Sequence, residues 1–330
     1  MNILLIGPGS IGQRHLRNLL YLQYNNITVI SRAGVLPTEF SSLNCFTTIE
    51  GALQNATFDA AIICTPTASH ISSLFTLLKA KVPNIYIEKP VSHSLNGLHE
   101  IVKFAASYKN RIVVGYDLHF DPGMQKIKQL LQEEVIGKTV SVNAQVGQYL
   151  PDWRPQQNYT TGMSAKKETG GGVMLDLIHE FDYLYRLIGP AEKIFCQFSY
   201  TGALDIETED VCEVLVRFKN NAIGTIHLDY LQQQLVRNCM ITGHEGSIHW
   251  NLAEQKVTWI NKSKQQSTFV YQDYSRNDRF IEIMKAFLSG EDDERLTSLA
   301  DGIESLRWVV AAKHSAETNS FVDLNNFNPQ

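Results

Sequence analysis

Four groups of residues have types and spacings suited to chemistry. Gly7-Pro8-Gly9-Ser10-Ile11-Gly12 follows a short apolar run and opens a segment of helical period, the context in which GxGxxG holds a dinucleotide pyrophosphate. In that role Gly7 makes the tight turn, Gly9 admits the phosphates, and Gly12 lets helix and strand approach, while the helix start at Ser10 and Ile11 offers N–H groups to the anion. The same string also reads as a glycine-rich turn, or as a cradle for another adenosyl cofactor. Further on, Val29-Ile30-Ser31-Arg32 ends a second apolar run where an NAD site usually presents a carboxylate to the ribose 2′-hydroxyl. A hydroxyl and a guanidinium stand there instead. Ser31 and Arg32 suit a 2′-phosphate, which favours NADP over NAD, although a solvated arginine at a strand end is the plainer alternative.

The third group is Gly170-Gly171-Gly172 followed by a helical pattern with Asp176 and His179 three apart on one face. Imidazole titrates near neutrality and accepts the proton of an alcohol being oxidised, and a neighbouring carboxylate orients it and stabilises its charged form. A capping aspartate and a structural histidine would give the same pattern. In the fourth group, Tyr149, Trp153 and Arg154 lie in Gln148-Tyr149-Leu150-Pro151-Asp152-Trp153-Arg154-Pro155, where an aromatic face stacks on a sugar ring and an arginine clamps a carboxylate or phosphate. Equally, Tyr149 and Trp153 simply pin a long loop.

Positioning these residues requires a parallel sheet. Apolar runs at Asn2–Ile6, Ile27–Ser31, Asp59–Cys64, Asn84–Ile87 and Arg111–Gly115 alternate with helical periods at Ile11–Leu22, Thr67–Ala80 and Leu95–Tyr108. That order predicts an α/β doubly wound domain over residues 1–118. Lys89 then follows an apolar strand and precedes a proline, so its ammonium sits where such sheets bind ligands; on spacing alone it reads equally as an exposed lysine starting a loop. Residues 119–330 change character, with a helix at Pro122–Glu133 and alternating segments at Thr139–Tyr149, Val211–Phe218, Ile223–Leu231 and Val236–Thr242. Helices at Val173–Leu187, Asp278–Leu288 and Ser298–Thr318 complete an α+β second domain, and Leu150–Gly172 forms a long loop.

Composition narrows the function. The chain has 330 residues, and 29 basic against 34 acidic side chains give a net charge of −5 without a long single-sign run, which argues against nucleic acid as the main ligand. No apolar stretch approaches the roughly 18 residues of a membrane span. The start lacks a basic segment leading into an apolar one, so cytoplasm is expected. Five scattered cysteines fit a reducing compartment, and the ten histidines form no ligand-spaced cluster, so no metal is expected.

With Cys64-Thr65-Pro66-Thr67-Ala68-Ser69-His70, Ile87-Glu88-Lys89-Pro90, the glycine-led helix and Gly243-x-Glu245-Gly246, the sequence resembles the Gfo/Idh/MocA oxidoreductases, the family of glucose-fructose oxidoreductase and inositol dehydrogenase. The resemblance spans almost the whole chain. It implies an N-terminal Rossmann domain and a C-terminal domain on a large open mixed sheet, often used for homodimer or homotetramer contacts. It further implies that Thr65, Pro66, His70 and Glu88 sit at the cofactor and that Lys89 hydrogen-bonds the substrate hydroxyl. Two departures stand out: DxxH replaces the frequent DxxxH at Asp176, and Asp117 and His119 occupy positions where relatives frequently have Asn and Arg. The sequence is also similar to relatives associated with bacterial surface sugars. The expected activity is NAD(P)-dependent hydride transfer at a secondary hydroxyl or ketone of a sugar, amino sugar or nucleotide sugar; the rival is a non-catalytic dinucleotide-binding regulator of the same fold.

Overall fold

The computed structural model describes residues 1–108 and 111–328, so the last two residues of the expected second domain lie outside it. In chain order the elements are β1 (Ile3–Ile6), α1 (Ser10–Tyr21), β2 (Ile27–Ile30), β3 (Asn44–Phe46), α2 (Ile49–Asn55), β4 (Ala60–Ile63), α3 (His70–Lys79), β5 (Asn84–Ile87), α4 (Leu98–Tyr108) and β6 (Arg111–Val114). There follow α5 (Pro122–Gln132), β7 (Thr139–Gly147), α6 (Val173–Asp176), α7 (His179–Ile188), β8 (Ala191–Ser199), β9 (Val211–Phe218), β10 (Ile223–Asp229), β11 (Val236–Gly243), β12 (Gly246–Asn251), β13 (Lys256–Asn261) and β14 (Gln266–Val270). The chain closes with α8 (Arg276–Ser289), β15 (Thr297–Ser298), α9 (Leu299–Thr318) and β16 (Val322–Asp323).

Two compact units emerge: residues 1–117 with 276–303, and residues 118–275 with 304–330. The sequence reading drew one boundary after residue 118; the structure returns Arg276–Ile303 to the first unit. The physical reason lies in α8. Arg14 of α1 stacks over the Phe280 ring at 4.7 Å, and Asn277 donates to Asn18 at 2.9 Å, so α8 packs on α1. Arg111 also donates to the Phe287 carbonyl at 2.7 Å.

The first unit has the order β15-β6-β5-β4-β1-β2-β3, all parallel except the short edge strand β15. Strand order reverses between β1 and β4, the switch point at whose carboxyl edge such sheets bind ligands. Strand β1 (Ile-Leu-Leu-Ile) and β4 (Ala-Ala-Ile-Ile) are buried along their whole length, as expected for strands covered on both faces. The doubly wound Rossmann architecture is therefore present. The second unit carries a nine-stranded sheet, β14-β13-β12-β11-β7-β10-β9-β8-β16, mixed because β7 and β10 run parallel while their other neighbours are antiparallel. Its buried face alternates cleanly, as in Cys212, Val214, Val216 and Phe218 of β9. The sequence reading named four of these nine strands.

One expected element breaks. The pattern at Val173–Leu187 predicts a single helix, but Leu177, with φ −101° and ψ 31°, turns the chain out of the helical basin between α6 and α7. Asp176 thus ends one helix and His179 starts the next. Their shared face does not come from a continuous helix. Among the described residues, no helix is long and apolar enough to cross a membrane.

Candidate active site

In the first unit the glycine string forms a cradle. Gly7 has φ +93°, and a Cβ there would lie 2.9 Å from the Cys64 carbonyl oxygen. A Cβ on Gly12 would lie 2.1 Å from the Gly7 carbonyl oxygen, so β1 and α1 approach as closely as they do only with glycine there. Around Gly9, by contrast, a Cβ would meet nothing within 4 Å. Gly7 and Gly9 open onto a cavity of about 540 Å³ that also reaches Arg32, Thr65 and Pro66. The hydroxyl of Thr65 is buried and has no partner among the described residues. Open space at Gly9 and an unsatisfied hydroxyl on the cavity wall fit a dinucleotide, whose pyrophosphate accepts from backbone N–H groups. Ser10 and Ile11 occupy the first turn of α1, and Gly12 packs behind them.

The other expected cofactor residues divide. Arg32 is exposed, lines the cavity and donates from Nη2 to Ser69 Oγ at 3.3 Å. Ser31 is buried, and its hydroxyl donates to the Val35 carbonyl at 2.8 Å, so it serves its own turn. His70 is 1 % exposed, with Nδ1 2.8 Å from the Pro90 carbonyl oxygen and Nε2 2.9 Å from that of Thr65. Burial pushes its pKa down, more than those carbonyls raise it. The neutral ring donates to one of the two carbonyls and ties the loop after β4 to the loop after β5.

Glu88 points into the core of the first unit. Its Oε1 lies 2.6 Å from His15 Nε2 and accepts from the Tyr86 hydroxyl at 3.4 Å. Burial, then the Glu88 charge, pushes the Cys64 thiol and the Tyr86 hydroxyl well above their usual ranges. His15 was missed by sequence reasoning, although a histidine in the buried stripe Gly12, Leu16 and Leu19 of α1 is a usable signal. Lys89, half-buried, follows Glu88 at the end of β5 and precedes Pro90 through a cis peptide bond.

In the second unit Gly171 and Gly172 are packed tightly against protein groups. A Cβ on Gly171 would lie 2.3 Å from the Met163 carbonyl oxygen, and one on Gly172, at φ +116°, 2.5 Å from Glu209 Oε1. They seat the start of α6 against the long loop at Met163 and against Glu209, which precedes β9. Asp176 is buried, and its Oδ2 accepts from the Tyr230 hydroxyl at 2.6 Å. His179, also buried, opens α7. One turn on, Asp182 binds His119 Nε2 at 2.5 Å and accepts from Ser305 Oγ at 3.1 Å. Glu180 accepts from Arg237 Nη2 at 3.2 Å. The two residues of the second departure have partners inside their own units, His119 with Asp182 and Asp117 with Arg279.

The long loop joins this group. Trp153 donates its indole N–H to the Gln148 carbonyl at 3.1 Å, and its ring meets Tyr230 edge-on with centroids 5.3 Å apart. Tyr149 is half-buried at the start of the same loop, and exposed Arg154 borders a small cleft with Trp153, Asn158 and Ser164. The partners Tyr230 and Asp182 were also missed. Among the described residues no group of three His, Cys, Asp or Glu side chains is placed to hold a metal ion.

Fold and cradle define a dinucleotide-binding α/β protein with a second, mixed-sheet unit. Residues 1–116 match the oxidoreductase family with an NAD-binding Rossmann fold, and residues 124–249 match the GFO/IDH/MocA C-terminal domain. The chain belongs to the Gfo/Idh/MocA family of NAD-binding oxidoreductases. The myo-inositol 2-dehydrogenase of Thermotoga maritima is 25 % identical over 349 residues, covering 98 % of both chains. In fold the chain is similar to the WlbA dehydrogenase of Bordetella pertussis, solved with NADH and UDP-GlcNAcA, at TM-score 0.81, 19 % identity and 98 % coverage of both chains. It is likewise similar to levoglucosan dehydrogenase with NADH and levoglucosan, at TM-score 0.85, 18 % identity and 100 % coverage of both chains.

Proposed function

We propose that the protein is an NAD(P)-dependent dehydrogenase or reductase acting on a secondary hydroxyl or ketone of a sugar, amino sugar or nucleotide sugar. The observation that carries this reading is the glycine cradle, open at Gly9, on a cavity of about 540 Å³. The relatives named above, which act on inositol or were solved with a nucleotide sugar or levoglucosan, support the substrate class. The cofactor, when bound, supplies the hydride acceptor or donor at its nicotinamide C4.

The chain's own residues do the rest. Backbone N–H groups at Gly9, Ser10 and Ile11 hold the pyrophosphate. Arg32 favours the 2′-phosphorylated cofactor, so NADP is preferred over NAD. The Lys89 ammonium donates to the substrate oxygen and stabilises negative charge developing on it. His179 takes the hydroxyl proton in the oxidative direction and returns it in reduction, and Asp176 supports it. Tyr149, Trp153 and Arg154 contact the sugar. In this reading the unit of residues 1–117 and 276–303 binds the cofactor, and the second unit binds the substrate and serves oligomerisation. The protein acts in the cytoplasm, in surface-sugar biosynthesis, as a homodimer or homotetramer; exposed Leu215, Ile223 and Met240 on the second sheet support an association surface.

Fluorescence titration of the purified chain with NADPH and NADH, followed by a screen of sugars with the bound cofactor, tests the reading. Saturable binding and turnover of a sugar uphold it. Binding without turnover of any sugar class points to the regulator, and absence of binding shows that the cradle holds no nicotinamide dinucleotide.

A further inference from the structure

The end of β2 supplies no carboxylate to a ribose, and the Ser31 hydroxyl is committed to Val35. A carboxylate nevertheless reaches the same cavity from another element. Glu50, exposed in the first turn of α2, lines it together with Arg32, Thr47 and Thr48. Among the described residues lining the cavity, Arg32 is the one cation and Glu50 the one carboxylate. The loops that carry them are adjacent: Ser31 N–H donates to the Phe46 carbonyl at 2.9 Å, and the Thr47 methyl lies 3.4 Å from where a Cβ on Gly34 would stand.

From this placement we propose that Glu50 is a specificity-determining residue, supplying from α2 the ribose acceptor that β2 lacks. The inference rests on the dinucleotide reading above and refines it. The two hydroxyls of an unphosphorylated adenosine ribose are donors, and a carboxylate is their natural acceptor. A 2′-phosphate reverses the balance, since its negative charge is drawn to the Arg32 guanidinium and repelled by the Glu50 carboxylate. Arg32 and Glu50 therefore pull cofactor choice in opposite directions inside one cavity. The selectivity for NADP is smaller than Arg32 alone would set.

The test is fluorescence titration of the full-length chain with NADH and NADPH, in the wild type, Glu50→Gln and Arg32→Ala. Glu50→Gln keeps the size and removes the charge at an exposed position, so folding is not at issue. It should shift the ratio of the two dissociation constants toward NADPH by about tenfold, with NADH weakened. Arg32→Ala should shift the ratio the other way by weakening NADPH. A Glu50→Gln variant that leaves the ratio unchanged, in a wild type that binds both nucleotides, overturns the role of Glu50 and leaves the oxidoreductase reading intact. A wild type that binds neither nucleotide overturns the dinucleotide reading and this proposal with it.

Discussion

Tyr230 donates its phenolic hydrogen to Asp176 Oδ2 over 2.6 Å, and the same ring receives the edge contact of Trp153. A residue at the end of β10 therefore links the long loop to a carboxylate at the end of α6. Burial, then the Asp176 charge, pushes the Tyr230 hydroxyl well above its usual range, so it remains a donor throughout the working pH range. Tyr230→Phe should lower stability by about 1 to 3 kcal/mol, because the buried carboxylate loses a donor. Thermal unfolding reads this directly, and an unchanged melting temperature would show that water replaces the hydroxyl.

His179→Ala should separate binding from chemistry. Nucleotide affinity should stay within about twofold of the wild type, and turnover should fall by about a hundredfold or more. Steady-state kinetics beside a nucleotide titration measure both; near-native turnover removes His179 from proton transfer.

His15 and Glu88 form a pair within the first unit, with the His15 side chain fully buried and that of Glu88 10 % exposed. Replacing His15 with Leu leaves the carboxylate in a site that water barely reaches. The expected loss is about 3 kcal/mol in urea unfolding. A double variant with Glu88→Gln should recover much of it, because the uncompensated charge is gone.

A pH effect follows from His227 on the second sheet. Its Nε2 lies 2.9 Å from Asp229 Oδ2 and its Nδ1 2.6 Å from Glu213 Oε1. The hydrogen bond to Asp229, opposed by partial burial and aided by Glu213, raises its pKa from 6.5 to about 9. The folded value lies above the unfolded one, so the protonated ring stabilises the fold fully below pH 6.5 and loses that contribution as pH rises through about 9. Melting temperatures taken between pH 6 and pH 10 should fall over that window in the wild type, with a smaller fall in His227→Gln. Parallel curves for the two proteins would count against the assignment.

The periodic parts of the fold were legible. Short Ile- and Val-rich runs separated by helical periods announce a parallel sheet, since both faces of each strand are covered, and β1, β2, β4, β5 and β6 appear where those runs stand. Strands β3 and β15 have three and two residues, too few to show a period. The helix break at Leu177 was hidden because apolar spacing continues across it. Within the site, Gly7, Gly9, Arg32, Thr65 and Pro66 meet at one cavity, as a local string and strand ends suggest. Glu88 and His70 instead face protein groups, and no local pattern reveals which way a side chain at a strand end turns. Partners such as Tyr230 for Asp176, or Asp182 for His119, are set by a topology that brings together residues 54 and 63 positions apart.

The return of α8 and β15 to the first unit bears on how the molecule is made. A ribosome delivers β1 to β6 early, yet β6 then presents a bare backbone edge, the kind that recruits foreign strands. Thr297 and Ser298, which pair with Val114 and Val113, emerge only after eight of the nine strands of the second sheet have been synthesised. The unit that begins first is thus finished nearly last, and during that interval the nascent chain carries its most vulnerable surface. A fragment ending at Asp117 would hold this state permanently, and co-expression with a peptide spanning residues 276–303 is the direct way to close it.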